Sequence, residues 1–306
     1  MTEKREFYRR SANGEGHIMS FEWKVDKPKA IVQIVHDMSE HSGRYQDFIK
    51  ILNDNGINVY ANDLTGHGYS KQGHRGSFAL KPGAINYLLA DIDSLFSYAT
   101  KENEEIPRII IGFGFGSMLS ELYTIRYKGA DMLVAVGSLA VPKGATAIKM
   151  AADVHMRRFG YNAVSESVHN MMYQHNSRLN GNLNKQFFWL STDEEEVQKY
   201  IDDENCGFPL TSSGYREVLQ AFKILRGRHG IVSIPNIPIF LLSGAEDQFG
   251  ECGESVKKIV SRLTMSGHDQ VAFKLYSACY HDVLHDQCRK HVCDDIITWI
   301  ELNLRN

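Results

Sequence analysis

Residues 108 to 120, RIIIGFGFGSMLS, constrain the fold more than any other stretch. Ile109, Ile110 and Ile111 form an uninterrupted β-branched run, the pattern of a strand buried on both faces, and Ser117 to Tyr127 has the spacing of an amphipathic helix. A strand must therefore turn sharply into a helix across Gly112, Gly114 and Gly116. Three readings of that turn stay open on these residues alone. It can be a strained elbow that presents the side chain of its middle position, a turn that cradles a phosphate, or a site of tight backbone packing. As an elbow it lacks a nucleophile, because its middle residue is Gly114.

The flanking segments repeat the strand and helix alternation. Glu6–Arg10 and His17–Val25 read as an N-terminal hairpin, and Lys29–His36 is a second β-branched run. Tyr45–Asn55 has helical spacing and stops at Gly56; Ile57–Asn62 and Met132–Val136 are short strands. Such alternation predicts an α/β fold with a mostly parallel sheet covered by helices on both faces. From Val141 to Arg228 the strand pattern stops and helical periods take over, so residues 141–228 are expected to form a helical cap inserted into a core of 1–140 and 229–306. Strand character returns at Pro238–Ser243 and Val271–Tyr276, around a helix at Glu254–Leu263. A closing helix, His291–Leu304, has Val292, Ile296, Ile297, Ile300 and Leu304 on one face.

Composition excludes some function classes. With 306 residues, 43% hydrophobic and 23% charged, the chain can bury a large core, and a formal charge of −3 without a long basic block argues against nucleic acid as a partner. The charged start, MTEKREFYRR, is not followed by an apolar segment, and no run is apolar enough to span a bilayer. The five cysteines, Cys206, Cys252, Cys279, Cys288 and Cys293, lack paired spacing and read as free thiols in a cytoplasmic protein. Cys252 and Cys279 are expected to be buried rather than nucleophilic, and His67 to be a loop imidazole satisfied by backbone, with no metal set around it.

Four segments follow the ends of predicted strands: HDMSEHSGRY (36–45), DLTGHGYS (63–70), SGAED (243–247) and YHD (280–282). Open α/β sheets collect their functional residues at those ends. With the glycine turn, an acid and a histidine in that chain order, the sequence resembles the monoacylglycerol lipase and lysophospholipase group of α/β-hydrolases, also called serine aminopeptidase-like. The group's H-G-M-x-E-H-x-x-R-Y corresponds to HDMSEHSGRY and its D-x-x-G-H-G-x-S to DLTGHGYS. The segment FFWLSTDEEEVQKYIDDENCGFPLT, Phe187 to Thr211, resembles the corresponding cap segment of bacterial members. The resemblance runs from about Gly14 to the C-terminus. It implies Asp247 as the triad acid and His281 as general base, with Met38 and Phe115 backbone N–H groups forming the oxyanion hole. It implies a small-molecule ester or lipid-like ligand and no cofactor; the oligomeric state stays open.

Two departures from the group's pattern bear on activity. Its G-H-S-M-G is here Gly112-Phe113-Gly114-Phe115-Gly116, and Ser117 is expected to pack or cap the helix rather than substitute for the missing serine. Its glycine beside the oxyanion hole is here Asp37, a carboxylate that would repel an oxyanion unless it turns away or is paired. Three functions are then weighed: a pseudohydrolase that binds a lipid-like or small apolar ligand; a nucleophile-less form of an ester hydrolase, in which Gly114→Ser alone restores turnover; and a hydrolase in which His281 activates a water held in the space at Gly114.

Overall fold

In the computed structural model, which describes residues 3–14, 16–70, 74–79, 81–101, 105–177 and 187–305, one eight-stranded sheet organises the chain. Its strands are β1 (Glu3–Arg10), β2 (His17–Lys24), β3 (Ala30–Val35), β4 (Ile57–Asn62), β5 (Arg108–Phe113), β6 (Met132–Val136), β7 (Ile239–Gly244) and β8 (Val271–Tyr276). They lie in the order β1-β2-β4-β3-β5-β6-β7-β8. The first two pairings, β1 with β2 and β2 with β4, are antiparallel, and all others are parallel.

The helices are α1 (Gln46–Asp54), α2 (Ala84–Thr100), α3 (Phe115–Tyr127), α4 (Ala145–Phe159), α5 (Glu166–Ser177), α6 (Glu194–Asp202), α7 (Ser212–Arg226), α8 (Glu254–Met265) and α9 (Arg289–Leu304). The β-branched runs explain the layering, because successive side chains of a strand point to opposite faces. Val32, Ile34, Ile109 and Ile111 pack toward α1 and α9, whereas Ile31, Val35 and Ile110 pack toward α2, α3 and α8. A strand that must be apolar on both faces is thereby accounted for. Val292, Ile296 and Ile300 form the fully buried stripe of α9; Ile297 and Leu304 are only partly buried beside it.

Four helices, α4 to α7, intervene between β6 and β7, and the strand-like contact among their described residues is a single bridge, Val164 to Thr211. Residues 178–186 of this stretch lie outside the described residues.

The cysteine expectation needs correction. Cys279, just after β8, and Cys288, at the start of α9, form a disulfide that closes the loop carrying His281, while Cys206, Cys252 and Cys293 are free. Spacing along the chain could not show this, because the pair is made by the β8-to-α9 turn. Cys252 is exposed, not buried. The all-thiol argument for a cytoplasmic location therefore does not stand. Among the described residues, no helix is long and apolar enough to cross a membrane.

Candidate active site

The ends of β3, β5, β7 and β8 bring Asp37, Gly114, Asp247 and His281 together. At the β5-to-α3 turn Gly114 has φ 51° and ψ −115°, a left-handed backbone that a residue with a Cβ adopts only under strain. Gly116 serves packing: a Cβ there would overlap the carbonyls of Val35 and His36, so α3 can approach β3 only through a glycine. Ser117 donates its hydroxyl to the Gly114 carbonyl at 2.7 Å and is fully buried, so it ties the first turn of α3 and faces no ligand.

Asp247, after β7, and His281, after β8, form a hydrogen-bonded pair. His281 Nδ1 lies 3.0 Å from Asp247 Oδ2, and the other Asp247 oxygen accepts the Phe249 N–H at 2.9 Å. Asp247 is wholly buried, and Ser243 adds a hydroxyl at 3.2 Å. The rings of Trp189 and Phe249 stand 5.8 and 5.3 Å from the imidazole and shield it from water. Gly137 borders the ring as well: its backbone has φ 65°, and a Cβ on it would come within 3.1 Å of His281 Cε1.

Asp37 has both carboxylate oxygens engaged in this site. Its Oδ1 accepts the N–H groups of both Met38, at 2.7 Å, and Phe115, at 2.6 Å, which are the two donors expected to line an oxyanion hole. Its Oδ2 lies 3.3 Å from His281 Nε2. A Cβ built on Gly114 would overlap the Asp37 carboxyl carbon and both its oxygens. The carboxylate thus fills the volume that a side chain at position 114 would need, and it neither turns away nor stands unpaired. It also satisfies the α3 N–H that a phosphate would use.

The electrostatics follow from this arrangement. Burial works against a charged His281, yet Asp247 and Asp37 on its two sides hold its pKa well above the ordinary value. Burial pushes the Asp37 carboxyl up, while its bonds to His281 and to Phe115 pull it back. The imidazole is thus clamped between two carboxylates.

A buried ionic network missed in the sequence fixes the loops that carry these groups. Arg44 Nη1 pairs with Asp282 Oδ2 at 2.8 Å and with Glu40, which also accepts the Tyr45 hydroxyl. Glu40 in turn accepts the Asp37 N–H at 2.9 Å. The loop after β3 is thereby tied to the residue following His281. The signal was present in Glu40, Arg44 and Tyr45 of HDMSEHSGRY, but their partner is remote in sequence.

His36 and His67 are neutral supports. His36 Nε2 accepts the Leu64 N–H at 2.8 Å, so its Nδ1–H goes to the Asp37 carbonyl, and burial lowers its pKa. His67 gives Nδ1–H to the Thr65 carbonyl at 3.0 Å, stacks on Phe78 and is pushed down to about 3, first by burial. Among the described residues, His41, Asp203 and Cys206 gather three ligand-type atoms. His41 Nδ1 accepts the Gly43 N–H, so its Nε2 carries the hydrogen that it gives Asp203 at 2.8 Å. No imidazole lone pair faces that group, and burial pushes the Cys206 thiol up, which disfavours the thiolate a metal needs.

Beside the site, Met38, Leu139, Met172, Tyr173, Phe222 and Phe249 form the apolar wall of a cavity of about 250 Å³, which Lys143, Gln248 and Glu251 line on its polar side. Met38 and Phe249 belong to both the cavity and the shell of the Asp37–His281 contact.

A mostly parallel sheet with helices on both faces, an acid and a histidine at successive strand ends and a strained strand-to-helix turn define an α/β-hydrolase fold. The model of the serine aminopeptidase S33 family matches residues 26–288, and the chain belongs to that family. It is similar to a monoacylglycerol lipase of Mycolicibacterium smegmatis, at 24% identity over 286 residues and 92% of each chain. It is also similar to the human monoglyceride lipase, at 25% identity over 87% of this chain and 79% of that one. Among solved structures, a thermostable carboxyl esterase of Bacillus coagulans in complex with glycerol superposes with a TM-score of 0.92 at 24% identity, covering 99% of this chain and 100% of that one.

Proposed function

We propose that this protein is catalytically impaired as an ester hydrolase and binds a lipid-like or small apolar ligand in the cavity beside Asp37, with residues 141–228 acting as its cap. Gly114 is read as the degenerate nucleophile position, Met38 and Phe115 as the oxyanion donors, Asp247 as the acid and His281 as the base. The observation that carries this reading is the Asp37 carboxylate, which accepts from both donors and fills the volume of the missing side chain. An ester carbonyl can reach neither a nucleophile nor a free pair of N–H groups there. Loss of a triad nucleophile alone costs on the order of 10⁶ in turnover, and an occupied oxyanion hole removes much of what remains. The similarity to monoacylglycerol lipases, and the apolar cavity wall, support the choice of ligand.

The test is hydrolysis of p-nitrophenyl acetate, p-nitrophenyl butyrate and a monoacylglycerol. The unmodified chain is expected to be silent, and so is Gly114→Ser, because the new side chain collides with Asp37. This outcome separates the reading from that of a nucleophile-less ester hydrolase, in which Gly114→Ser alone restores turnover. The double substitution Asp37→Gly/Gly114→Ser is expected to raise turnover on the order of 10³-fold or more, by supplying a nucleophile and freeing the two donors. Ester hydrolysis by the unmodified chain that disappears in His281→Ala would overturn the reading and favour a water route.

A further inference from the structure

Resting on the proposal that ester hydrolysis is lost, and going beyond it, we propose that Asp37 is itself a nucleophile. It attacks neutral apolar alkyl compounds whose saturated carbon bears a leaving group that departs as a stable anion, such as a halide. The geometry divides the roles of the carboxylate. Oδ1 is fixed by the N–H groups of Met38 and Phe115, while Oδ2 points to His281 Nε2. The Asp37 side chain is 14% exposed, and its neighbour Met38 stands on the apolar wall of the cavity from which a substrate would approach. Carboxylates act as covalent nucleophiles where they are positioned and partly desolvated. An ester carbonyl needs the oxyanion donors for itself, but a saturated carbon does not.

In the first step, an Oδ2 lone pair forms a bond to the saturated carbon as the carbon–halogen bond breaks. The halide leaves with the bonding electrons, and Asp37 becomes a neutral alkyl ester. Alkylation removes one of the two anions that hold the proton on His281, so the imidazole can release it to solvent and become a base. In the second step, His281 Nε2 takes a proton from water as the water oxygen attacks the Asp37 carboxyl carbon. The negative charge then develops on Oδ1, which already faces the two backbone donors. Collapse breaks the bond between that carbon and Oδ2, which leaves as the alcohol with a proton from His281. The remaining carboxyl passes its proton to His281 Nε2, which regenerates the Asp37 carboxylate and the imidazolium together. An alkyl halide and water become an alcohol, a halide ion and a proton. Asp247 steadies the imidazolium throughout.

The experiment uses the full chain with 1-bromohexane. Release of bromide and hexanol is followed, together with mass spectrometry of the peptide containing Asp37, in ordinary and in heavy-oxygen water. The expected result is one hexyl group on Asp37 after rapid quenching and, over many turnovers, heavy oxygen incorporated into Asp37. Asp37→Asn is expected to lose both signals entirely, and His281→Gln to accumulate the hexyl adduct with little hexanol. No hexyl group and no heavy oxygen on Asp37 in a cooperatively folded chain would overturn the inference, as would bromide release unchanged in Asp37→Asn. Either result leaves the proposal of lost ester hydrolysis standing, which fails only on the p-nitrophenyl assays.

Discussion

Asp37 and Gly114 form one feature although they look like two separate departures in the sequence. The carboxylate occupies the space that a side chain at 114 would take, so each residue is tolerated because of the other. This coupling has a measurable consequence. Gly114→Ala places a Cβ at positive φ, which costs about 1–2 kcal/mol, and against a fixed carboxylate, which adds about 1–3 kcal/mol of overpacking. Urea unfolding is expected to show a total loss of about 3 kcal/mol. In an Asp37→Gly background the overlap disappears, and the same substitution is expected to cost only the backbone strain. Equal losses in both backgrounds would refute the coupling. Both residue identities were legible in the sequence, and the resemblance implied Asp247 and His281 as acid and base. The contact between Asp37 and the α3 N-terminus was not, because it depends on how closely β3 and β5 approach.

The strands were readable because buried parallel strands need apolar residues on both faces, and Val32, Ile34 and Ile109 to Ile111 satisfy that need with little ambiguity. The loops between them were not readable in the same way. The clamp that holds the β3 and β8 loops depends on Arg44, which is buried between Glu40 and Asp282. Burial opposes the charge on Asp282, yet His285 and Arg44 still hold its pKa far below the usual carboxylate range. Removing one member of such a buried group leaves uncompensated charge and typically costs about 3–5 kcal/mol. Arg44→Ala is therefore expected to lower the unfolding free energy measured in urea by an amount in that range. It is also expected to weaken any activity that depends on the distance from Asp37 to His281, since the two loops lose their common anchor. A loss below about 1 kcal/mol would show that the loops are held by other contacts.

At the scale of the whole molecule, the mostly parallel sheet follows from patterns of many residues, whereas the Cys279–Cys288 disulfide and the contact of the β1-to-β2 turn with α2 depend on particular partners. That docking links stability to pH. Asp91 on α2 accepts the Ser11 hydroxyl at 3.0 Å and the Ala12 N–H at 2.7 Å from the turn between β1 and β2. Burial raises its pKa from the ordinary 3.8 to about 6 in spite of those bonds. A group whose pKa is higher in the folded than in the unfolded chain stabilises the fold fully below the unfolded value and loses that contribution as the pH rises through the folded one. For Asp91 the loss falls between about pH 4 and 6 and amounts to about 3 kcal/mol. Asn keeps the shape without the titration. The stability of Asp91→Asn relative to the unmodified chain is therefore expected to climb by about that amount from pH 4 to pH 7. His281 contributes in the same sense at higher pH, since its folded value lies well above the ordinary 6.5, and Asp91→Asn leaves that limb unchanged. Urea unfolding of both chains across pH 4 to 9 separates the two steps. A constant difference between the curves would mean that Asp91 is not raised in the folded protein and that the hairpin docks without strain on its charge.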